Sequence, residues 1–159
     1  MKKAISVIFS CLFACVIYAQ SANVITDMLE SSEVTYGHVC YISALQQGLI
    51  NENTSLDDAI KVSYDKGIID ELVTADTAIS AADLAYIYSK LWNVKGGLMF
   101  LITKGSPRYA FKQFQADGVI PRTIDPSYHI SGAEALSIYT SCRSKYGNFS
   151  LKDADMEIE

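Results

Sequence analysis

Positive charge is scarce in this chain. Thirteen Lys and Arg stand against 18 Asp and Glu, a net charge of −5, and the bases are scattered. That excludes a sequence-wide nucleic-acid footprint. Histidine is scarcer: His38 and His129 are the only two, and neither has sequence neighbours that would complete a triad or a metal cluster. Both read as surface or linker residues, and no metal is expected. Phosphate loops are missing too. Gly96-Gly97 is not followed by Gly-Lys-Ser/Thr, and Lys104-Gly105-Ser106 lacks the upstream glycines. Asp57-Asp58 opens no calcium loop. With no acid/base pair and no nucleophile elbow, a non-enzymatic protein without a cofactor is expected, and a hydrolase is only a remote alternative. The apolar stretch from Ala4 to Ile17 is shorter than the roughly 20 residues of a membrane-spanning helix.

Half of the 159 residues are apolar and 19% are charged, which suits one modest packed domain plus a leader. Met1-Lys2-Lys3, the apolar stretch and Ile17-Tyr18-Ala19 have the layout of a bacterial secretory signal cut before Gln20. The protein is therefore expected to be exported, to the periplasm or cell envelope. Leu12-Phe13-Ala14-Cys15 is a competing, loose lipobox with Cys15 as the lipidated residue, disfavoured by the bulky Phe13. Beyond the leader, the cysteines are Cys40 and Cys142. They could form a disulfide closing a loop of about a hundred residues, worth up to about 4.7 kcal/mol by loop entropy. They equally fit as small apolar residues in helix seams. No paired His stands near either, which argues against zinc.

Along the chain, residues 20–34 read as a mobile start or a short helix. Helices follow over about 36–47, stopped by Gly48; 56–66, capped within Asn53-Thr54-Ser55 and stopped by Gly67; and 81–94, capped by Ser80 and broken at Gly96-Gly97. The run 98–102 is too short for periodicity to separate helix from buried strand. Ser106-Pro107 opens another helix, ended by Asp117-Gly118. Pro121 and Pro126 make an extended linker. Ser131 caps the last helix, which Gly147 is expected to end. Ser80/Asp83 and Ser131/Glu134 have capping-box spacing. The tail from 148 to 159 is acidic.

Two stretches repeat. At an offset of 51, residues 59–96 align without gaps on 110–147 with 10 identities in 38 positions. The shared residues include Gly67/Gly118, Ile69/Ile120, Ile79/Ile130, Ser80/Ser131 and Tyr88/Tyr139. They fall on stops, apolar anchors and caps, which marks an array of one supersecondary unit. Gly48-Leu49-Ile50 followed by Thr54-Ser55 reads as a partial earlier copy.

The pattern resembles the S-layer homology (SLH) module, which runs aromatic-Ala, helix, Gly-Ile-Ile/Val, linker, then Ile-Thr-Arg-Ala-Glu opening a second helix. Tyr109-Ala110, Gly118-Val119-Ile120 and Ile130-Ser131-Gly132-Ala133-Glu134 carry one copy. Ala59, Gly67-Ile68-Ile69 and Ile79-Ser80-Ala81-Ala82-Asp83 carry the other. The resemblance implies a mainly helical fold, short repeats of helix, Gly-Ile-Ile turn, linker and helix packed as a pseudo-threefold bundle. It implies attachment of an exported protein to cell-wall polymer. The family's motif Arg, implied to bind the polymer, falls at Ala81 and Gly132. The expected organisation is a signal peptide over 1–19, a mobile segment over 20–35, an SLH-like domain over 36–147 and an acidic tail over 148–159. Arg108, Tyr109, Lys112 and Tyr86 are the candidate ligand contacts, aromatic faces beside positive charge. The expected partner is cell-wall polymer or peptidoglycan. The alternative is another envelope protein, bound by a module that has lost polymer binding.

Overall fold

The computed structural model describes residues 19–154, with side chains described over 23–147. The expected cleavage site and Cys15 fall at the edge of, or outside, the described residues. Seven helices are described: α1 (Ala19–Glu30), α2 (Tyr36–Gln46), α3 (Leu56–Asp65), α4 (Ala81–Leu91), α5 (Leu98–Ile102), α6 (Pro107–Ala116) and α7 (Gly132–Ala154). Among the described residues there is no strand beyond two isolated bridges, so the fold is mainly α. No described helix is long and apolar enough to cross a membrane.

The helix stops work as their chemistry suggests. Gly67 and Gly118 take φ of +67° and +73°, where a Cβ would be strained. Each turns the chain so that the next residue bonds back into the helix: Ile68 N–H to Ser63 O at 2.8 Å, Val119 N–H to Phe114 O at 2.9 Å. Ile68, Ile69, Val119 and Ile120 are thereby delivered into the core, each buried. Such a side chain contributes roughly 1.5–3 kcal/mol when fully buried.

The two closest helix pairs are α2 with α3 and α4 with α6; a looser third is α1 with α7, and α2 also packs on α4. The three meet at a junction of extended segments. Val34 N–H donates to Ile130 O at 2.7 Å, and Ile79 N–H donates to Val34 O at 3.0 Å. Thr35 bridges Ala78, and Ser80 bridges His129. Val34, Ile79 and Ile130 are completely buried. A helix starts from each segment, and linker carbonyls satisfy its first N–H groups. Tyr36 and Gly37 donate to Thr77 O and Ala75 O, Ala81 and Ala82 to Tyr128 O and Pro126 O, and Gly132 to Ser31 O. The third segment at the junction is thus Val34-Thr35. Thr54-Ser55 instead precedes α3, where Ser55 Oγ accepts Asp58 N–H at 3.1 Å.

Several local expectations are corrected. Of the two readings of residues 20–34, the helix rather than the mobile start is what forms: α1, with Met28 and the following Val34 fully buried. Helix α4 ends at Leu91 rather than at Gly96-Gly97, because Asn93 adopts φ +45° and Val94 N–H returns to Ser89 O. Asn is among the few non-glycine residues that accept this conformation. Gly147 does not end α7, which runs to Ala154. Glycine stops a helix by turning left-handed, and Gly147 does not; it sits against Trp92. Ser106 precedes α6 but its side chain makes no capping bond. The run 98–102 is a short helix, and an exposed one.

Candidate functional site

Pro107 starts α6 and fixes its first turn, so Arg108 and Lys112, four residues apart, share one face above buried Phe111. Opposite them runs the linker from Pro121 to Pro126. Gln115 pins it, donating from Nε2 to Pro121 O and Ile124 O, both at 3.2 Å. Between helix and linker lies a depression of about 710 Å³, lined by Arg108, Lys112 and Arg122 with Phe111, Ile124 and Pro126. A second depression of about 470 Å³ shares Gln115, Arg122 and Ile124 and carries the groove on to Ser137 of α7.

The electrostatics favour an anion. Arg108, Lys112 and Arg122 are all exposed, and among the described residues none is in an ion pair. The first depression has one acid in its wall, Asp125, whose Oδ1 already accepts Ser127 N–H at 2.8 Å and Ser127 Oγ–H at 2.6 Å. Those two bonds hold its carboxyl below the usual range. Two guanidinium forks and an ammonium over an apolar floor can take carboxylate or phosphate oxygens.

Of the four expected contacts, Arg108 and Lys112 line the groove and two do not. Tyr109 is half-buried, its ring centre 5.7 Å from Lys112 Nζ, where it steadies the ammonium from outside the lining. Tyr86 belongs to another cluster: its hydroxyl donates to Asp70 Oδ2 at 2.6 Å, and Lys90 Nζ lies 3.9 Å over its ring. Lys90 also reaches Gly67 O at 2.7 Å and Asp70 Oδ1 at 3.3 Å. This cluster ties the first linker to α4. Arg122 was missed by reasoning from sequence; its signal was a lone base held between two prolines.

His38 Nδ1 pairs with Thr35 Oγ1 at 2.9 Å, and burial lowers its pKa. His129 Nδ1 lies 3.5 Å from Glu33. Cys40 and Cys142 are free, fully buried thiols flanking buried Tyr88. Burial pushes them up to about 11 and about 12, so neither is a ready thiolate. No family model, curated protein or solved structure matches the chain.

Proposed function

We propose that this is an exported, non-enzymatic envelope-binding module of SLH-like design, holding an anionic cell-wall polymer in the groove of Arg108, Lys112 and Arg122. One observation carries the reading: three unpaired cations gather round one groove in a chain with an acidic excess. Export rests on the basic and apolar leader. The SLH-like arrangement is supported by the three helix pairs and by the three β-branched/hydroxyl segments, Val34-Thr35, Ile79-Ser80 and Ile130-Ser131, meeting at one junction.

The missing motif Arg has a physical explanation. Its places are the first residues of α4 and α7. Ala81 is completely buried, and a Cβ on Gly132 would overlap the Met28 carbonyl. The corresponding residue of α2, Tyr36, lies half-buried beside Asp83, its phenol pushed up by burial and by that carboxylate. Ala81 and Gly132 are closed to a guanidinium, and at Tyr36 a phenol stands in its place. The groove cations take over that role from α6 and its linker.

Purified sacculi test the proposal. The protein is expected to co-sediment with them at low salt and to elute as salt rises, because the contacts are charge-assisted. Sacculi stripped of anionic secondary polymer should retain much less. Full recovery in the supernatant at low salt would sink the reading.

A further inference from the structure

Helix α5 is the odd element of this fold. Leu98, Met99, Leu101 and Ile102 are 70, 53, 63 and 65% exposed, four large aliphatic side chains in five residues. Among the helices, α5 touches only α6. A continuous apolar patch of this kind marks an interaction surface. The segment is nevertheless built rather than loose. The Phe100 ring turns inward over Gly96 and Gly105, where a Cβ at either glycine would meet it. Lys104 and Gly105 take φ of +52° and +70° to close the turn.

Part of the tip's backbone is paired within the tip itself. Leu101 N–H donates to Gly97 O, Thr103 N–H and Oγ–H to Met99 O, and Gly105 N–H to Phe100 O. Such pairing lowers the cost of moving the segment out of water. The surrounding charge is one-sided. Residues 84–116 contain Lys90, Lys95, Lys104, Arg108 and Lys112 and no acid, within a chain of 18 acids and 13 bases. Lys90 is engaged by Asp70; the other four are exposed.

We propose that the α5 finger inserts its Leu98, Met99, Leu101 and Ile102 side chains into an anionic lipid surface, with Lys95 and Lys104 at the headgroup level on either side. The tip carries only flexible aliphatic groups, whereas a protein interface is anchored by aromatic and Arg side chains. Aliphatic groups flanked by bases match the chemistry of an anionic bilayer interface. The inserted side chains and their flanking bases are none of the residues that line the groove.

The chain has a single Trp, Trp92, and no Trp in the leader. Leu101→Trp in a Trp92→Phe background therefore makes the finger the sole source of indole fluorescence in the full chain. If that background fails to fold, the difference spectrum between Leu101→Trp and the unaltered protein gives the same signal. On vesicles of mixed phosphatidylglycerol and phosphatidylcholine, the emission should shift to the blue and be quenched by brominated acyl chains. The partition coefficient should fall roughly tenfold on adding Lys95→Glu and Lys104→Glu, or on changing to pure phosphatidylcholine. An indole that stays unshifted and unquenched on anionic vesicles overturns the proposal. So does a partition indifferent to both charge changes, or a blue shift that grows with protein concentration alone while sedimentation shows a dimer.

Discussion

The two aligned stretches agree where the fold is made and disagree where the groove is. At the 51-residue offset, Ser80 matches Ser131 and Gly67 matches Gly118, but Arg108 falls on Asp57 and Arg122 on Glu71. The shared base, Lys61 in one and Lys112 in the other, also differs in state. Lys61 is spent on Asp58 at 3.1 Å, whereas Lys112 faces the open groove. Even the linkers differ: Tyr86, Asp70 and Lys90 lock the first, and Gln115 holds the second so that Arg122 can line the depression. What is common to both is backbone chemistry. What is peculiar to the second is positive charge, and that is where the proposed function lies.

The largest effect is expected at the helix starts. Gly132 and Ala81 align, yet only the former faces a carbonyl, that of Met28, at the place of a Cβ. Gly132→Ala should cost roughly 3–5 kcal/mol, or prevent folding, because backbone must move. Ala81→Gly should cost about 1 kcal/mol. Urea denaturation of the two variants gives the contrast directly; equal costs would mean that the α1–α7 contact yields easily.

Next comes the charge difference itself. Giving the second stretch the residues of the first, Arg108→Asp with Arg122→Glu, should weaken binding to sacculi by about tenfold or more. The stability in urea should stay within about 0.5 kcal/mol, since both side chains are exposed and unpaired. A smaller salt dependence in the variant would identify the lost contacts as ionic. The reverse exchange, Asp57→Arg with Glu71→Arg, sharpens the comparison by asking whether charge alone makes a site there.

The caps give a finer contrast. Ser131 and Glu134 exchange backbone and hydroxyl bonds: Ser131 N–H and Oγ–H reach Glu134 Oε2 at 2.9 and 2.7 Å, and Glu134 N–H reaches Ser131 Oγ at 3.4 Å. The shorter Asp83 accepts from the Ser80 hydroxyl at 2.6 Å and donates its own N–H to Ser80 Oγ at 3.2 Å. Ser131→Ala and Ser80→Ala should each cost about 1 kcal/mol, the former somewhat more. Ser106→Ala should be nearly neutral, because its side chain caps nothing. Thermal melts of the three variants would rank them.

These contrasts show what could be read from the sequence. Ser80, Ser131, Gly67 and Gly118 act within a few residues of themselves, so local chemistry revealed them. Val34-Thr35 at the junction was invisible, because its partners Ile79 and Ile130 are joined to it by backbone bonds that carry no side-chain signature. Gly147 and Gly96-Gly97 misled for a related reason: whether a residue ends a helix depends on the backbone turn taken there, and packing decides that. In the groove, Arg108 and Lys112 share a helix face and were legible. Arg122 reaches them only through the bonds from Gln115 that fold its linker back.

The smallest effect is the pH dependence that Asp117 adds to the second stretch, beside that of the similarly depressed Asp70 in the first. Asp117 accepts from Gln113 Nε2 at 3.0 Å and from the Tyr146 hydroxyl at 2.6 Å, with Lys145 Nζ 3.8 Å away, tying α6 to α7. Burial alone would raise its carboxyl, but these bonds and the Lys145 charge outweigh it, and the folded value lies below the usual one. A carboxyl depressed by folding contributes stability above its unfolded pKa of about 3.9 and loses it as pH falls through the lower folded value. The aligned residue in the first stretch is Lys66, not a carboxyl. Asp117→Asn should therefore lower stability at neutral pH and flatten its fall below about pH 4. Stability in urea from pH 7 down to pH 3 measures both. If the variant kept the full acid slope, the acid sensitivity would belong to carboxylates outside the α6–α7 tie, Asp70 of the first stretch among them.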